Sequence, residues 1–294
     1  MNNIIVDLGA NHGGFSLDAA KRNPNIIVHA IEPYSKLAKE LHEQAHQIDL
    51  NNHIVHEVGI AETKGRCALN ISTGADHGAS SILSFAKSHL HEDEYWSTRL
   101  DLVQSDQVEI LTLPLSSFLD TIKFDRISFI KIDIQGMDLV ALKTAGEYLN
   151  KIDAGMLEVS AVERTSLYEG PACDLLSALI FFNENGFYVY NVKPNDPASN
   201  EFNIFFCRRG INYKEIEARL SLTGMKYYDG KHYWHFPSNR QEYPEHQIIT
   251  LTDLLRQSES KITDIESELE STKKSLSNFK LSLAYKLHNL LSKW

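Results

Sequence analysis

Cysteine is scarce in this chain: Cys67, Cys173 and Cys207 are the only three in 294 residues. They stand far apart with no metal-binding spacing, so they read as buried thiols in a reducing compartment. Basic charge is also short. Lys and Arg total 29 against 39 Asp and Glu, a net charge of -10. Phosphate contacts need clustered cations, so general binding to nucleic acid is excluded. No apolar run is long enough to span a bilayer, and the N-terminus lacks the basic, apolar, small-residue order of a secretory signal. A cytoplasmic protein is expected. Hydrophobic content of 43% and charged content of 23% are ordinary for a globular protein. The length suffices for one full domain and an appendage.

Short runs rich in β-branched residues fill the first two-thirds: IIVDLG, IIVHAIEP, HIVHEVGIA, ISFIKIDIQG and AGMLEVS. Polar, amphipathic stretches near 14–22, 34–46 and 137–150 separate several of them and read as helices. Near-continuous apolar strands joined by helical crossovers imply an α/β fold, a mostly parallel sheet covered on both faces. A helix near 171–185 and two strands, GFYVYNVK and FNIFFCRR, follow and suit an antiparallel closing pair. Only three residues precede Ile4, so a helix ahead of the first strand is expected to be missing or to come from another chain.

The segment VDLGANHGGFS, residues 6–16, is the most informative. An apolar strand ends in Asp7 and turns through Gly9, Asn11 and Gly13; the next apolar run ends in Glu32. A strand, a Gly-rich turn, a helix and a second strand with a terminal acid form a nucleoside-binding half. Glu32, left at the strand tip by Pro33, suits bidentate bonding to two ribose hydroxyls. Asp7 suits an amino group, and the backbone of Gly9, Ala10, Asn11 and Gly13 suits close ligand approach. Asn11 stands where a dinucleotide pattern needs its second glycine. A pyrophosphate therefore fits less well than S-adenosylmethionine, which has a ribose and an amino acid but no phosphate.

A second constellation lies in IKIDIQGMD, residues 130–138. Asp133 ends an apolar strand facing the same cleft and can serve as general base toward an acceptor hydroxyl, or bind cofactor or cation. A structural acid bonded to backbone amides is the competing reading. Asp138 reads as a helix cap. Glu158, at the end of MLEVS, and His12, inside the Gly-turn, are alternative bases, with Asp76-His77 a weaker candidate. No metal ligand set is assigned.

Residues 62–122 form a long insertion with a hairpin in GRCALNIS, a Gly/Ser loop and a strand, VEILTLPL, read either as a surface excursion or as a lid. The aromatic, histidine-rich stretch 210–247 reads as an irregular linker or docking segment. From 248 to 294, Leu255, Ile262, Leu269, Leu276, Leu283 and Leu290 recur every seven residues, with Leu251, Ile265 and Phe279 between them. That heptad pattern implies a coiled coil and a homo-oligomer. A lone amphipathic helix is the alternative. The end, LSLAYKLHNLLSKW, is basic and apolar and suits peripheral contact with an anionic membrane surface.

Taken together, VDLGANHGGFS, IEPY, VGIAETKG and KIDIQGMD resemble, in order and spacing, the FkbM family of S-adenosylmethionine-dependent methyltransferases over about residues 4–208. The resemblance implies a class I methyltransferase (Rossmann-like) domain over 1–209. It further implies O-methylation of a hydroxyl on sugars or polyketide-like products. Asp7, Gly9, Asn11 and Gly13 inherit the cofactor turn, Glu32 the ribose contact and Asp133 the acidic strand end. The usual D-x-E-G-x-E stands here as D-I-Q-G-M-D, with Gln135 for a glutamate. Similar tails occur on enzymes that assemble bacterial surface glycans, which suggests a sugar or glycan acceptor at the inner membrane face. Two rivals remain at this stage: a NAD-dependent oxidoreductase, and a catalytically weak cofactor-binding scaffold joined by the coiled coil.

Overall fold

The computed structural model describes residues 2–72, 77–170 and 174–230, and parts of a helical stretch between 255 and 276. The chain divides into two compact units, Met1–Trp234 and His235–Trp294.

In the first unit the elements run β1 (Asn3–Leu8), α1 (Ser16–Arg22), β2 (Ile27–Ile31), α2 (Ser35–Gln47), β3 (His53–His56), β4 (Gly59–Ile60), β5 (Gly65–Ser72), α3 (Lys87–Glu92), β6 (Gln104–Leu113), α4 (Leu115–Leu119), β7 (Arg126–Ile132), α5 (Asp138–Lys143), β8 (Ala154–Ser160), α6 (Leu175–Glu184), β9 (Phe187–Pro194), β10 (Glu201–Arg208), α7 (Tyr213–Leu220) and α8 (Lys226–Asp229). A seven-stranded sheet has the order β3-β2-β1-β7-β8-β10-β9. β1 pairs in parallel with β2 and β7, and β7 with β8. β10 lies antiparallel to both β8 and β9, the closing pair expected from the sequence.

Both faces of the sheet are covered, which is why its central strands are apolar at successive positions. On β1, Ile4, Val6 and Leu8 face one core with Phe118, Leu139 and Phe182 from α4, α5 and α6. Ile5 faces the other core, with Phe15, Ala19 and Ala20 at and within α1 and Ile216, Leu220, Met225 and Tyr228 at and within α7 and α8. The stretch beginning at 210, expected to be irregular, thus carries two helices through residue 230 whose apolar residues cover the sheet. Residues 231–247 of that stretch lie outside the described residues.

The 62–122 insertion builds a second sheet, β4-β6-β5. GRCALNIS is not a hairpin by itself: it pairs antiparallel along its whole length with β6, from Gly65 opposite Thr112 to Ser72 opposite Gln104. Between those strands, Phe85 and Trp96 pack with Leu167 and Tyr168 from the segment after β8. Cys207 is buried and Cys67 half-buried, both as free thiols; Cys173 lies outside the described residues.

In the second unit the described residues are helical, and among them Leu255, Ile262, Ile265, Leu269 and Leu276 are half or more exposed. The remaining heptad positions and the basic end lie outside the described residues. Among the described residues no helix is long and apolar enough to cross a membrane.

Candidate active site

The parallel strands β1, β2 and β7 end side by side, and the loops that leave them enclose a cavity of about 220 Å³. Ligand sites in open α/β sheets form at such carboxyl edges. The β1–α1 turn is held by the carbonyl of Ile31, which accepts from the amides of Gly9 and Ala10, both at 3.0 Å. Gly9 has φ +76, and a Cβ there would lie 1.9 Å from the backbone oxygen of Asp133. The need for glycine at this position comes from the neighbouring β7 end and not from a ligand. Gly13 turns away from the cavity, toward Leu17 and Leu41, while Gly14 lines it.

Glu32 is 6% exposed and lines the cavity. Its carboxylate accepts from the amide of Asn11 (2.8 Å) and from that of Tyr34 (2.9 Å), so the acid also ties the Gly-turn to β2. Burial lifts its pKa to about 7 against the pull of those two amides. Each carboxylate oxygen keeps a second lone pair for a ligand hydroxyl.

Asp7 is fully buried, and no donor among the described residues meets its carboxylate oxygens in good hydrogen-bond geometry; the side-chain oxygen of Asn11 has no donor at all there. Asp7 does have an ion pair. Lys131 Nζ, inside β7, lies 3.3 Å from Asp7 and 3.2 Å from Asp133. Burial opposes charge on Lys131, yet Asp133 and Asp7 together raise its pKa, so it is a fixed cation between two acids. Burial raises Asp7, with Lys131 pulling the other way. Burial also opposes ionisation of Asp133, but Lys131 and nearby donors hold it below its ordinary value.

Behind Asp133 lies a closed network centred on Gln135, which has φ +58. Its amide nitrogen donates to Asp133 at 2.6 Å and to Glu158 at 3.0 Å. Its carbonyl oxygen accepts from the Tyr168 hydroxyl at 2.7 Å, and its backbone oxygen from Ser81 at 2.6 Å. Glu158 also accepts from Asn195, and burial with the adjacent Asp133 charge pushes its pKa well up. Gln135 therefore does what an ionised glutamate could not: its amide protons bond both Asp133 and Glu158 without placing another negative charge beside Asp133. Asp138, expected as a helix cap, accepts from the amides of Ile134 (2.8 Å) and Gly136 (3.0 Å), both upstream of α5. It ties the loop and not the first helical turn.

Of the sequence-derived candidates, Asp7, Gly9, Ala10, Asn11, His12, Glu32 and Asp133 all border the main cavity. Glu158 sits behind Gln135, in a separate small cavity with Tyr168 and Glu201. His12 is exposed, its ring 3.8 Å from Glu40 on α2. His77 lines the cavity edge-on to Tyr34, and its Nδ1 lies 2.8 Å from the carbonyl of Ser72. Asp76 lies outside the described residues. Lys131 and Tyr227 also line the cavity and were not anticipated. A lysine inside the apolar run IKI was a usable signal for the first, since a buried cation needs acidic partners. Nothing local in the sequence marks the second. Among the described residues, no group of three or more His, Cys, Asp or Glu side chains is placed to hold a metal ion.

Residues 7–187 match the model of the methyltransferase FkbM domain. No curated protein matches the chain. Among solved structures, similarity extends to precorrin-6y C5,15-methyltransferase from Geobacter metallireducens GS-15, at 14% identity and TM-score 0.34, over 70% of this chain and 80% of that one. It extends also to M. capricolum TrmK in complex with S-adenosyl-homocysteine, at 12% identity and TM-score 0.39, over 87% of this chain and 82% of that one. A third is magnesium protoporphyrin IX methyltransferase (ChlM) from Synechocystis PCC 6803 with bound SAH, at 9% identity and TM-score 0.39, over 70% of this chain and 74% of that one.

Proposed function

From the premise that this chain belongs to the FkbM methyltransferase family, we propose that its cleft methylates a hydroxyl of a sugar or glycan. The cofactor of this S-adenosylmethionine-dependent methyltransferase fits the residues present. The side-chain oxygen of Asn11 has no donor, and a buried unpaired polar group costs about 1–3 kcal/mol; Asp7 is paired with Lys131 through one oxygen and leaves the other without a donor. Glu32 offers free lone pairs to ribose hydroxyls, and Leu37, Val58, Ile60 and Ile110 supply apolar walls. When bound, the cofactor supplies an electrophilic methyl group on a sulfonium.

The observation that carries the reading is Asp133, an ionised carboxylate about one-third exposed on the cavity that the Gly-turn borders. It accepts a hydrogen bond from the acceptor hydroxyl and receives the proton that the oxygen loses on methylation. A carboxylate held below its ordinary pKa is a weak base, so orientation is its larger contribution. Effective molarities for held reactants reach the order of 10⁵ M or more. Lys131 keeps Asp133 charged, and Gln135 fixes its direction.

The acceptor class rests on the family resemblance and on the tail. The heptads over 248–294 would join copies of the chain, and the basic end would bring them to an anionic surface where polysaccharide precursors are assembled. The test is transfer of labelled methyl to nucleotide-sugar and glycan pools by wild type and by Asp133→Asn. The variant is expected to lose at least about 100-fold in kcat while binding the cofactor normally. Unchanged turnover removes Asp133 from the mechanism, and no label in any sugar pool with wild type removes the acceptor class.

A further inference from the structure

Tyr227 lies forty residues beyond the family match, on the short helix α8, yet its side chain borders the cavity beside Gly14 and Phe15. The ring occupies the space that a side chain at position 14 would need: a Cβ on Gly14 would fall 2.1 Å from a ring carbon of Tyr227. Gly14 does not have a positive φ, so backbone conformation does not explain the glycine there. The aromatic ring does.

α8 is also anchored firmly enough to hold a wall in place. Met225 and Tyr228, on either side of Tyr227, are buried against the sheet. The Tyr228 hydroxyl donates to Glu217 at 2.5 Å and shares a hydrogen bond with Tyr190 at 2.9 Å. Lys193 Nζ donates to the carbonyls of Tyr228 and Asp229, both at 3.0 Å. From α1, the Arg22 guanidinium donates to the carbonyls of Ser221 (3.0 Å), Thr223 (3.2 Å) and Gly224 (3.1 Å), fastening the α7–α8 turn to the helix that the Gly-turn starts. Tyr227 itself is 47% exposed. Its neighbours are fixed while its ring stays open to a ligand.

We propose that Tyr227 is a cofactor-binding residue, an aromatic wall at the Gly14 end of the cleft supplied by a segment outside the family domain. The ring lines the same cavity as Asp7 and Asn11, where the sulfonium and the ammonium of the cofactor would carry positive charge. A π-face is attracted to such a cation, and to a sulfonium as to an ammonium. This rests on S-adenosylmethionine being the cofactor, and the experiment separates the two ideas.

S-adenosylmethionine is titrated by calorimetry into the full chain as wild type, Tyr227→Ala, Tyr227→Phe, Gly14→Ala, the double variant Gly14→Ala/Tyr227→Ala, and Glu32→Ala. Tyr227→Ala is expected to weaken binding about tenfold, as for loss of one aromatic contact, with Tyr227→Phe near wild type. Gly14→Ala displaces the ring and loses a similar factor, whereas in the Tyr227→Ala background it adds nothing. Thermal melts of the variants at positions 14 and 227 are expected to agree with wild type, since neither position is buried. Wild-type affinity in Tyr227→Ala, beside a Glu32→Ala that has lost binding, overturns the inference alone; so do losses at positions 14 and 227 that simply multiply in the double variant. No binding by wild type overturns the cofactor reading and this inference with it.

Discussion

Glu32 meets the cleft with a carboxyl group that burial has lifted to about 7, although the amides of Tyr34 and Asn11 favour its charged form. Ribose hydroxyls are donors, and they bond best to the ionised carboxylate. Cofactor affinity is therefore expected to climb as pH rises through 7 and to level off above it. Well below 7, where most Glu32 is protonated, affinity falls by up to about tenfold for each pH unit. Calorimetry at pH 6, 7 and 8 gives the profile, and Glu32→Gln should bind weakly and show little slope. A flat profile in wild type would take Glu32 out of the ribose contact. At this scale the sequence was a good guide to acids at strand tips, because a carboxylate after an apolar run has few other places to go. It was a poor guide to their partners. Asp133 was legible as a strand-end acid, but the Lys131 charge that keeps it ionised and the Gln135 amide that aims it depend on β1, β7 and β8 lying side by side. The same proximity gives the D-I-Q-G-M-D departure its physical sense, since Gln135 links Asp133 and Glu158 without adding charge.

Elements show why the glycine pattern was legible and its reason was not. The run VDLGANHGGFS marks a tight turn in any reading, because Gly9 at φ +76 and Asn11 at φ +48 sit where side chains are disfavoured. What fills the space beside Gly9 is the backbone of Asp133, a contact between elements more than a hundred residues apart. Gly9→Ala is accordingly expected to force β1 and β7 apart at their ends. With left-handed strain and backbone overlap combined, a loss above about 3 kcal/mol follows, or a fall in Tm of roughly 6–12 °C for a unit of this size. Gly65→Ala, with no atom within 4 Å of the new Cβ and no positive φ, is the silent control. Equal melting temperatures for the two variants would show that the β1 and β7 ends can separate freely. Pairing was the other thing lost to local reading. Much of β6 is visible as the run VEILTLPL, but β5 reads as a hairpin by itself, because a partner 32 residues downstream of Ser72 leaves no mark in either strand.

At the scale of the whole molecule the second unit brings apolar residues of its own to cover. Leu255, Ile262, Leu269 and Leu276 keep a strict seven-residue spacing, and with Ile265 they are half or more exposed among the described helical residues. Fully burying a leucine or isoleucine side chain is worth about 1.5–3 kcal/mol, so a seam of five such residues favours a second helix of the same kind strongly. Charged residues stand between the seam positions, and Lys273 pairs with Glu270 at 2.9 Å on the exposed side. Such a pair adds little energy but keeps the outer face soluble. The full chain is therefore expected to sediment as an oligomer. Leu269→Glu/Leu276→Glu, which places charge in the seam, should yield monomers whose methyltransferase unit melts and binds cofactor as before. Because the interaction is between chains, its strength depends on protomer concentration, and dilution should favour monomers in wild type as well. A wild-type chain that stays monomeric at high concentration would leave the seam without a role in assembly. Dissociation that also lowers cofactor affinity would instead tie the cleft to the oligomer, a coupling that neither unit displays by itself.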